Sequence, residues 1–273
     1  MTREKADFTG PQATMLATLY GRALHSRTEN PVLHDPYAEE AVARIDHDFS
    51  TTGLRGGDAL SIALRGRTFD DLTADRLAAD PEVTVLHLGC GLDSRGQRLA
   101  PPPSVEWYDV DFPEVIELRD RIYPAREHHH TIGSSVTAPD LLHGIPNDKP
   151  ALVVAEGLTM YLEEAEGVAL LRRITEHFPG GHLICDVQSP LAVRWAHRLN
   201  GAVRAADARL KWGIRSGTEL EREVPGLVLD EETTFFDIPG LERLNPAYRA
   251  LVRALGTIPA FRKLALILTM HFD

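Results

Sequence analysis

The chain has 273 residues, 43% hydrophobic and 25% charged, enough to bury a full core as one large domain or one domain with an elaboration. Twenty-nine basic against 40 acidic residues give a formal charge of −11. That charge repels phosphate backbones and anionic lipid, and no basic cluster offsets it, so neither nucleic acid nor a membrane is an expected partner.

The N-terminus, MTREKADFTGPQ, has no apolar stretch of signal-peptide type, and no later run approaches the roughly 20 apolar residues of a membrane helix. A cytoplasmic location is the expectation. Pro11 to Arg27 and Ala59 to Ala79 read as helices, joined by NPVLHDPYAEE, where Asp35 and Pro36 can start a short helix. Residues 1–80 are therefore expected to form a helical cap. Residues 81–188 read as the core: Val83 to Leu88, Val105 to Asp111, Ala151 to Ala155 and His182 to Val187 are short buried strands, followed by helical patterns such as Pro113 to Ile122 and Glu163 to His177. Such alternation implies an α/β fold with a mostly parallel sheet covered on both faces. Within 189–273, Pro190 to Leu210 reads as one basic amphipathic helix, and LVLDEETTFFD and KLALILTMHFD as two late strands, antiparallel at the sheet edge. Cys90 and Cys185 fall inside strand ends as small buried residues and cannot form a four-thiolate zinc site.

Two strands share one feature. VLHLGCGLDSR and VVAEGLTMYL are apolar runs that stop in glycine and a carboxylate, Asp93 in the first and Glu156 in the second. A nicotinamide-binding turn requires Gly-x-Gly-x-x-Gly, and Ser94 stands where the third glycine belongs, so that reading loses ground. What remains is a two-glycine turn, Gly89 and Gly91, whose backbone can approach a ligand. An acid follows on the next strand, WYDVDFPE, about 20 residues on, where a carboxylate can accept both hydroxyls of a ribose. Asp109 and Asp111 share one strand face, and Asp111, nearer the carboxyl end, is the expected ribose ligand.

VLHLGCGLDSRGQRL, WYDVDFPEVIELR and VVAEGLTMYLEE, in this order and spacing, resemble the leucine carboxyl methyltransferase superfamily, and within it the bacterial polyketide branch of tetracenomycin type. TMLATLYGRALHSR, LHDPYAEE and LRGRTFDD are similar to that branch too. The resemblance implies a class I S-adenosylmethionine-dependent methyltransferase fold, Rossmann-like, with a seven-stranded mostly parallel sheet, an antiparallel edge and a helical cap. It implies S-adenosyl-L-methionine as cofactor and O-methylation of a small-molecule acceptor. By the same resemblance Arg65, with Arg67 as fallback, holds the methionine carboxylate. Gly89, Gly91 and Asp93 form the turn, Asp111 takes the ribose, Ser135 and Val136 stand near the adenine, and Glu156 lies near the methionine amino group. The protein-modifying members carry Asp-Leu where Ser135 and Val136 stand here, so their substrate class does not transfer.

Tyr20 and Arg22 are candidate acceptor contacts from the cap helix or else surface residues lying over it. Tyr161 and Met160 line the transfer channel or pack under the cap. RWAHRLNGAVRAADARLKWGIR is a lid over an acidic substrate or an ordinary amphipathic helix. His128, His129 and His130 are expected on a solvated loop or sheet edge, without metal, because neighbouring strand residues point to opposite faces. The acceptor group expected is a carboxylate, which needs no general base; Arg22, Arg194 and Arg198 would attract it. The alternative from another class is a non-catalytic nucleoside-binding module of the same fold.

Overall fold

The computed structural model describes residues 3–6, 8–54, 57–243 and 246–273. Near the N-terminus a short parallel pair, β1 (Glu4–Lys5) and β2 (Ile45–Asp46), flanks α1 (Gly10–Ser26) and α2 (Pro36–Arg44). Pro11 starts α1, and its apolar positions Met15, Leu16, Leu19 and Ala23 recur at helical spacing and are buried in one cluster with Ala38 and Ala41 of α2. Asp35 caps α2, its Oδ1 accepting the Ala38 N–H at 2.9 Å. The long α3 (Asp58–Ala79) then leads to the sheet.

The main sheet has seven strands: β3 (Thr84–Leu88), β4 (Glu106–Asp111), β5 (His129–Gly133), β6 (Ala151–Ala155), β7 (Gly181–Gln188), β8 (Leu227–Thr234) and β9 (Ala265–Phe272). Their spatial order is β5-β4-β3-β6-β7-β9-β8. The first five are parallel, and β9 runs antiparallel between β7 and β8. β3 and β6 are buried at every position, as unbroken apolar runs require in a sheet covered on both faces. Leu86, Leu88 and Val153 pack on one face, and Val85, Leu152 and Val154 on the other with Phe69 of α3. Connections lead one way from β3 to β4 and β5, and the other way to β6 and β7. The strand order therefore reverses at β3, where open α/β sheets bind ligands beyond the carboxyl ends of their strands.

The parallel strands are joined through α4 (Arg95–Leu99), α5 (Pro113–Ile122) and α6 (Glu164–His177). After β7 the expected single helix from Pro190 to Leu210 is corrected to α7 (Pro190–Leu199) and α8 (Gly201–Ala205) followed by a non-helical stretch. Asn200 makes the break: its side chain accepts the N–H groups of Ala202 (3.0 Å) and Val203 (3.1 Å) and starts a new helix. Gly201 fits because a Cβ there would lie 2.3 Å from the Gly53 carbonyl oxygen. Beyond α8 the chain returns to the core, with the Lys211 N–H on Met160 O at 2.7 Å and the Ile214 N–H on Gln188 O at 2.8 Å. α9 (Gly217–Glu223) precedes β8, and α10 (Pro246–Gly256) and α11 (Pro259–Arg262) lie between β8 and β9.

His129 and His130 lie in β5 at the sheet edge, with His128 just before them. Among the described residues, no group of His, Cys, Asp and Glu is placed to hold a metal ion, and no helix is long and apolar enough to cross a membrane. Cys90 and Cys185 are free and buried.

Candidate active site

A cavity of about 1270 Å³ opens beyond the carboxyl ends of β3, β4, β6 and β7. At its floor the chain leaves β3 through Gly89 (φ +61°) and Gly91 (φ +48°), both left-handed and so suited to glycine. A Cβ on Gly89 would come within 2.9 Å of the Leu158 side chain. The Gly91 N–H donates to Asp111 Oδ2 at 2.7 Å and the Phe112 N–H to Oδ1 at 2.8 Å. Each oxygen of Asp111 thus keeps accepting capacity toward the cavity it lines. Burial raises the Asp111 pKa above the usual carboxylate value, and the donors offset this only in part.

Asp109 is different. It is fully buried beneath the turn and accepts from His87 Nδ1 (2.7 Å), Trp107 Nε1 (2.9 Å), Arg119 Nε (3.0 Å) and His129 Nε2 (2.6 Å). Burial alone would raise its pKa, but Arg119 and the two histidines hold it well below the ordinary range. With its lone pairs taken, Asp109 has nothing to offer a ribose. Its partner Arg119 also donates to the carbonyls of Gly91 and Asp93, so Asp109 anchors the guanidinium that shapes the turn.

A second charged group sits at the ends of β6 and β7. Arg65 donates through Nε to Glu156 Oε1 (2.8 Å) and through Nη1 to Asp186 Oδ2 (3.3 Å). Arg95 donates to Glu156 Oε2 at 2.5 Å and to Asp70 Oδ1 at 2.8 Å. Burial works to raise the Glu156 pKa, but Arg65 and Arg95 outweigh it and bring it below the usual value. For Asp186, burial wins over Arg65 and its pKa is raised. Arg65, Glu156 and Asp186 all line the cavity. Arg67 instead pairs with Asp71 at 2.8 Å on the surface and is not a lining residue.

The N-terminal helices are tied to the core through Arg22 and Asp35. Arg22, 4% exposed, donates to Asp35 Oδ2 (3.0 Å) and Leu92 O (2.6 Å), so it touches the cavity wall with its charge already engaged. Asp35 also receives Ser94 Oγ (2.6 Å) and Arg98 Nη1 (2.9 Å). Asp93 sits among Arg95, Arg98 and Arg22, which together overcome burial and hold its pKa well below 3.8. Tyr20 stacks on Phe49, ring centroids 5.1 Å apart, and is not among the cavity-lining residues. Tyr161 does line it, with its hydroxyl 3.2 Å from Thr14 Oγ1 of α1. Ser135 and Val136 form part of the wall beyond β5.

The opposite wall comes from the segment after β7. Trp195 and Phe261, each 38% exposed, and Leu191 give the mouth an apolar rim. Arg198 lies over the Trp195 ring, 4.9 Å from its centroid. The motifs do not pick out Asp186, Arg95, Arg98 or Arg119. Only Asp186 carried a usable signal: LICDVQ is a third apolar run ending in an acid.

The lining groups fit S-adenosylmethionine: Asp111 offers free acceptor capacity at one end, and Arg65 stands beside the carboxylates of Glu156 and Asp186 at the other, a complement to vicinal hydroxyls and an amino-acid zwitterion. Pockets for one drug-sized ligand span roughly 300–1,000 Å³, so this cavity has room for an acceptor as well. Sheet order, glycine turn and acid at the end of β4 define a class I S-adenosylmethionine-dependent methyltransferase. The same fold is seen in a solved Thermobifida fusca YX protein assigned as a methyltransferase, at TM-score 0.56 and 16% identity, covering 98% of this chain and 97% of that one. Residues 14–175 match the family model of leucine carboxyl methyltransferase. The tetracenomycin polyketide synthesis O-methyltransferase TcmP of Streptomyces glaucescens is 44% identical, over 95% of this chain and 96% of its own. The S-adenosyl-L-methionine-dependent methyltransferase dpfgK of Gibberella zeae is 34% identical, over 83% of each. The chain belongs to the leucine carboxyl methyltransferase family and is an S-adenosylmethionine-dependent methyltransferase.

Proposed function

We propose that the protein methylates a carboxylate oxygen of a small polyketide-type metabolite. The observation that carries this reading is the lid wall: Arg198, Arg204 and Arg209 line the cavity against one lid carboxylate, Asp207, with Lys211 beside them paired to Glu163 at 3.0 Å, in a chain whose net charge is −11. Cations gathered on one wall of an acidic protein draw in an anionic acceptor. The name of the Streptomyces relative points to oxygen methylation in polyketide synthesis.

S-adenosylmethionine supplies a methyl group on a sulfonium, whose departure as a neutral thioether needs no proton. In this reading Asp111 accepts the ribose hydroxyls, Arg65 takes the methionine carboxylate, and Glu156 faces the ammonium. The Gly89–Gly91 turn lets backbone approach the nucleoside. The cap helix and the lid wall align the acceptor and exclude water. An ionised carboxylate is already a nucleophile, so no base is required of the protein.

A second reading is favoured by one feature, the buried cavity carboxylate Asp186 with its raised pKa. It could take the proton of a hydroxyl acceptor. Methyl-labelled cofactor and a panel of carboxylated and phenolic polyketides separate the two. Label released as methanol by mild alkali, with a rate flat from about pH 6 to pH 8, supports ester formation. Label that resists alkali, with a rate that climbs over that window, assigns hydroxyl methylation. Calorimetry should give micromolar binding of S-adenosylhomocysteine, roughly −8 kcal/mol; saturable binding of a nicotinamide dinucleotide in its place would end the methyltransferase reading of the site.

A further inference from the structure

Ala155 and Cys185 pair across β6 and β7, so Glu156 and Asp186 follow level on neighbouring strands, with backbones about 4.8 Å apart. Two carboxylates so close need a cation between them, and Arg65 provides it. They are served unequally. Glu156 has a second guanidinium, Arg95, held in turn by Asp70. Asp186 has the Gly157 N–H at 2.6 Å and, among the described residues, Arg65 as its one ion-pair partner, at the longer 3.3 Å.

If Arg65 turns to the carboxylate of a methionine moiety, Asp186 shares or loses that cation while remaining 6% exposed. A buried carboxylate stripped of its cation is strongly unfavourable, so Asp186 must either take up a proton or regain positive charge from the ligand. The same end of the ligand carries an ammonium with three donors. We infer that Asp186, together with Glu156, binds the α-ammonium of the methionine moiety, making β6 and β7 a two-carboxylate subsite for an amino-acid zwitterion. The internal Arg65–Asp186 pair is then exchanged for two pairs across the ligand: Arg65 with its carboxylate, Asp186 with its ammonium. This rests on the cofactor reading above and adds to it a residue that the family motifs do not supply.

The binding arm of the test is calorimetric and needs no acceptor; a turnover assay with an acceptor from the panel above that wild type methylates accompanies it. Asp186→Asn keeps the side-chain volume and an oxygen for the Gly157 N–H. Its affinity for S-adenosylhomocysteine should fall roughly 10- to 100-fold, while 5′-methylthioadenosine, which lacks the amino-acid end, should bind within about twofold of wild type. The desamino analogue of S-adenosylhomocysteine should bind wild type more weakly by a similar factor, and the variant should discriminate against it clearly less than wild type does, the remainder being what Glu156 still contributes. Equal discrimination against that analogue by both proteins overturns the inference, as does a parallel loss of both nucleosides in the variant. Unchanged S-adenosylhomocysteine affinity with collapsed turnover also overturns it and assigns Asp186 to acceptor deprotonation. Wild type that binds none of these nucleosides refutes the cofactor reading itself.

Discussion

Asp109 and Asp111 stand two residues apart on one strand and mark two different regions. Asp109 belongs to the charge network under the cap, where Arg22, Arg95, Arg98 and Arg119 meet Asp35, Asp70, Asp93 and Asp109 with almost every donor and acceptor engaged. Asp111 belongs to the cavity wall, where it and Asp186, unlike Glu156 with its two guanidinium partners, hold few partners and have pKa values raised by burial. In both regions burial penalises the charge. In the network arginines outweigh the penalty; at Asp111 and Asp186 it is left partly uncompensated, which is the condition for gaining from a ligand that brings donors or positive charge.

The largest effect expected from this contrast is on folding. Asp109→Asn leaves Arg119 without its counterion and turns an amide N–H₂ toward other donors. Breaking a buried pair in this way costs about 3–5 kcal/mol, readable as a lower urea midpoint at unchanged m. A variant as stable as wild type would show that the network is ornament to the fold rather than its anchor.

Asp111→Asn should do the reverse. Its stability should fall by only about 1–3 kcal/mol, since the lost carboxylate is one that burial disfavours and the cost is the one N–H, of Gly91 or Phe112, that the amide cannot accept. Its affinity for S-adenosylhomocysteine should fall by about 1.5–3 kcal/mol, ten- to a hundredfold, from the loss of a charged acceptor for two hydroxyls. If Asp111→Asn binds normally and a folded Asp109→Asn does not, the two roles are exchanged.

Acid separates the regions without mutation. Asp35, Asp93 and Asp109 have pKa values below 3.8. Their contribution to stability is present above the unfolded value and is lost as pH falls through the folded values, a tenfold change in proton affinity on folding being worth about 1.4 kcal/mol. Asp111, facing Arg119 and His87, and Asp186, facing Arg65, Glu156 and Tyr161, have raised values. They bind a proton more readily folded than unfolded, so their ionisation removes stability as pH rises from 3.8 through those values. In the proposed site, ligand binding needs them ionised. On titration downward from neutral pH, S-adenosylhomocysteine affinity should therefore weaken before the unfolding midpoint drops; loss of both in one step would join what the structure separates.

The sequence exposes these regions unequally. Continuous apolar runs mark β3 and β6 because central parallel strands need them, and glycines with acids at strand ends mark the floor of the cavity. The network is hidden, since Arg95, Arg98 and Arg119 follow helical patterns that read as solvent-facing and their partners lie up to 63 residues away, as Asp35 does from Arg98. Asn200 is hidden for a related reason. Within a basic amphipathic run it looks like one more polar residue, and only the packing of Gly201 on Gly53 makes it a break.

The smallest effect tests the far wall. Arg198 is exposed and stacked on Trp195, holding no carboxylate within the described residues, so it can act on an incoming anion only through solvent. An exposed charge of this kind contributes about 0.2–1 kcal/mol. Arg198→Gln should accordingly raise the acceptor KM about 1.4- to fivefold, with kcat and S-adenosylhomocysteine affinity unchanged. The increment should shrink as ionic strength rises, because the Debye length drops to about 10 Å at 0.1 M salt and about 3 Å at 1 M. A KM effect that survives 1 M salt would mean that Arg198 contacts the acceptor through a dry, fixed hydrogen bond, placing the anionic group against α7. No effect at any salt would leave Arg204 and Arg209 as the cations of that wall, Lys211 being paired with Glu163.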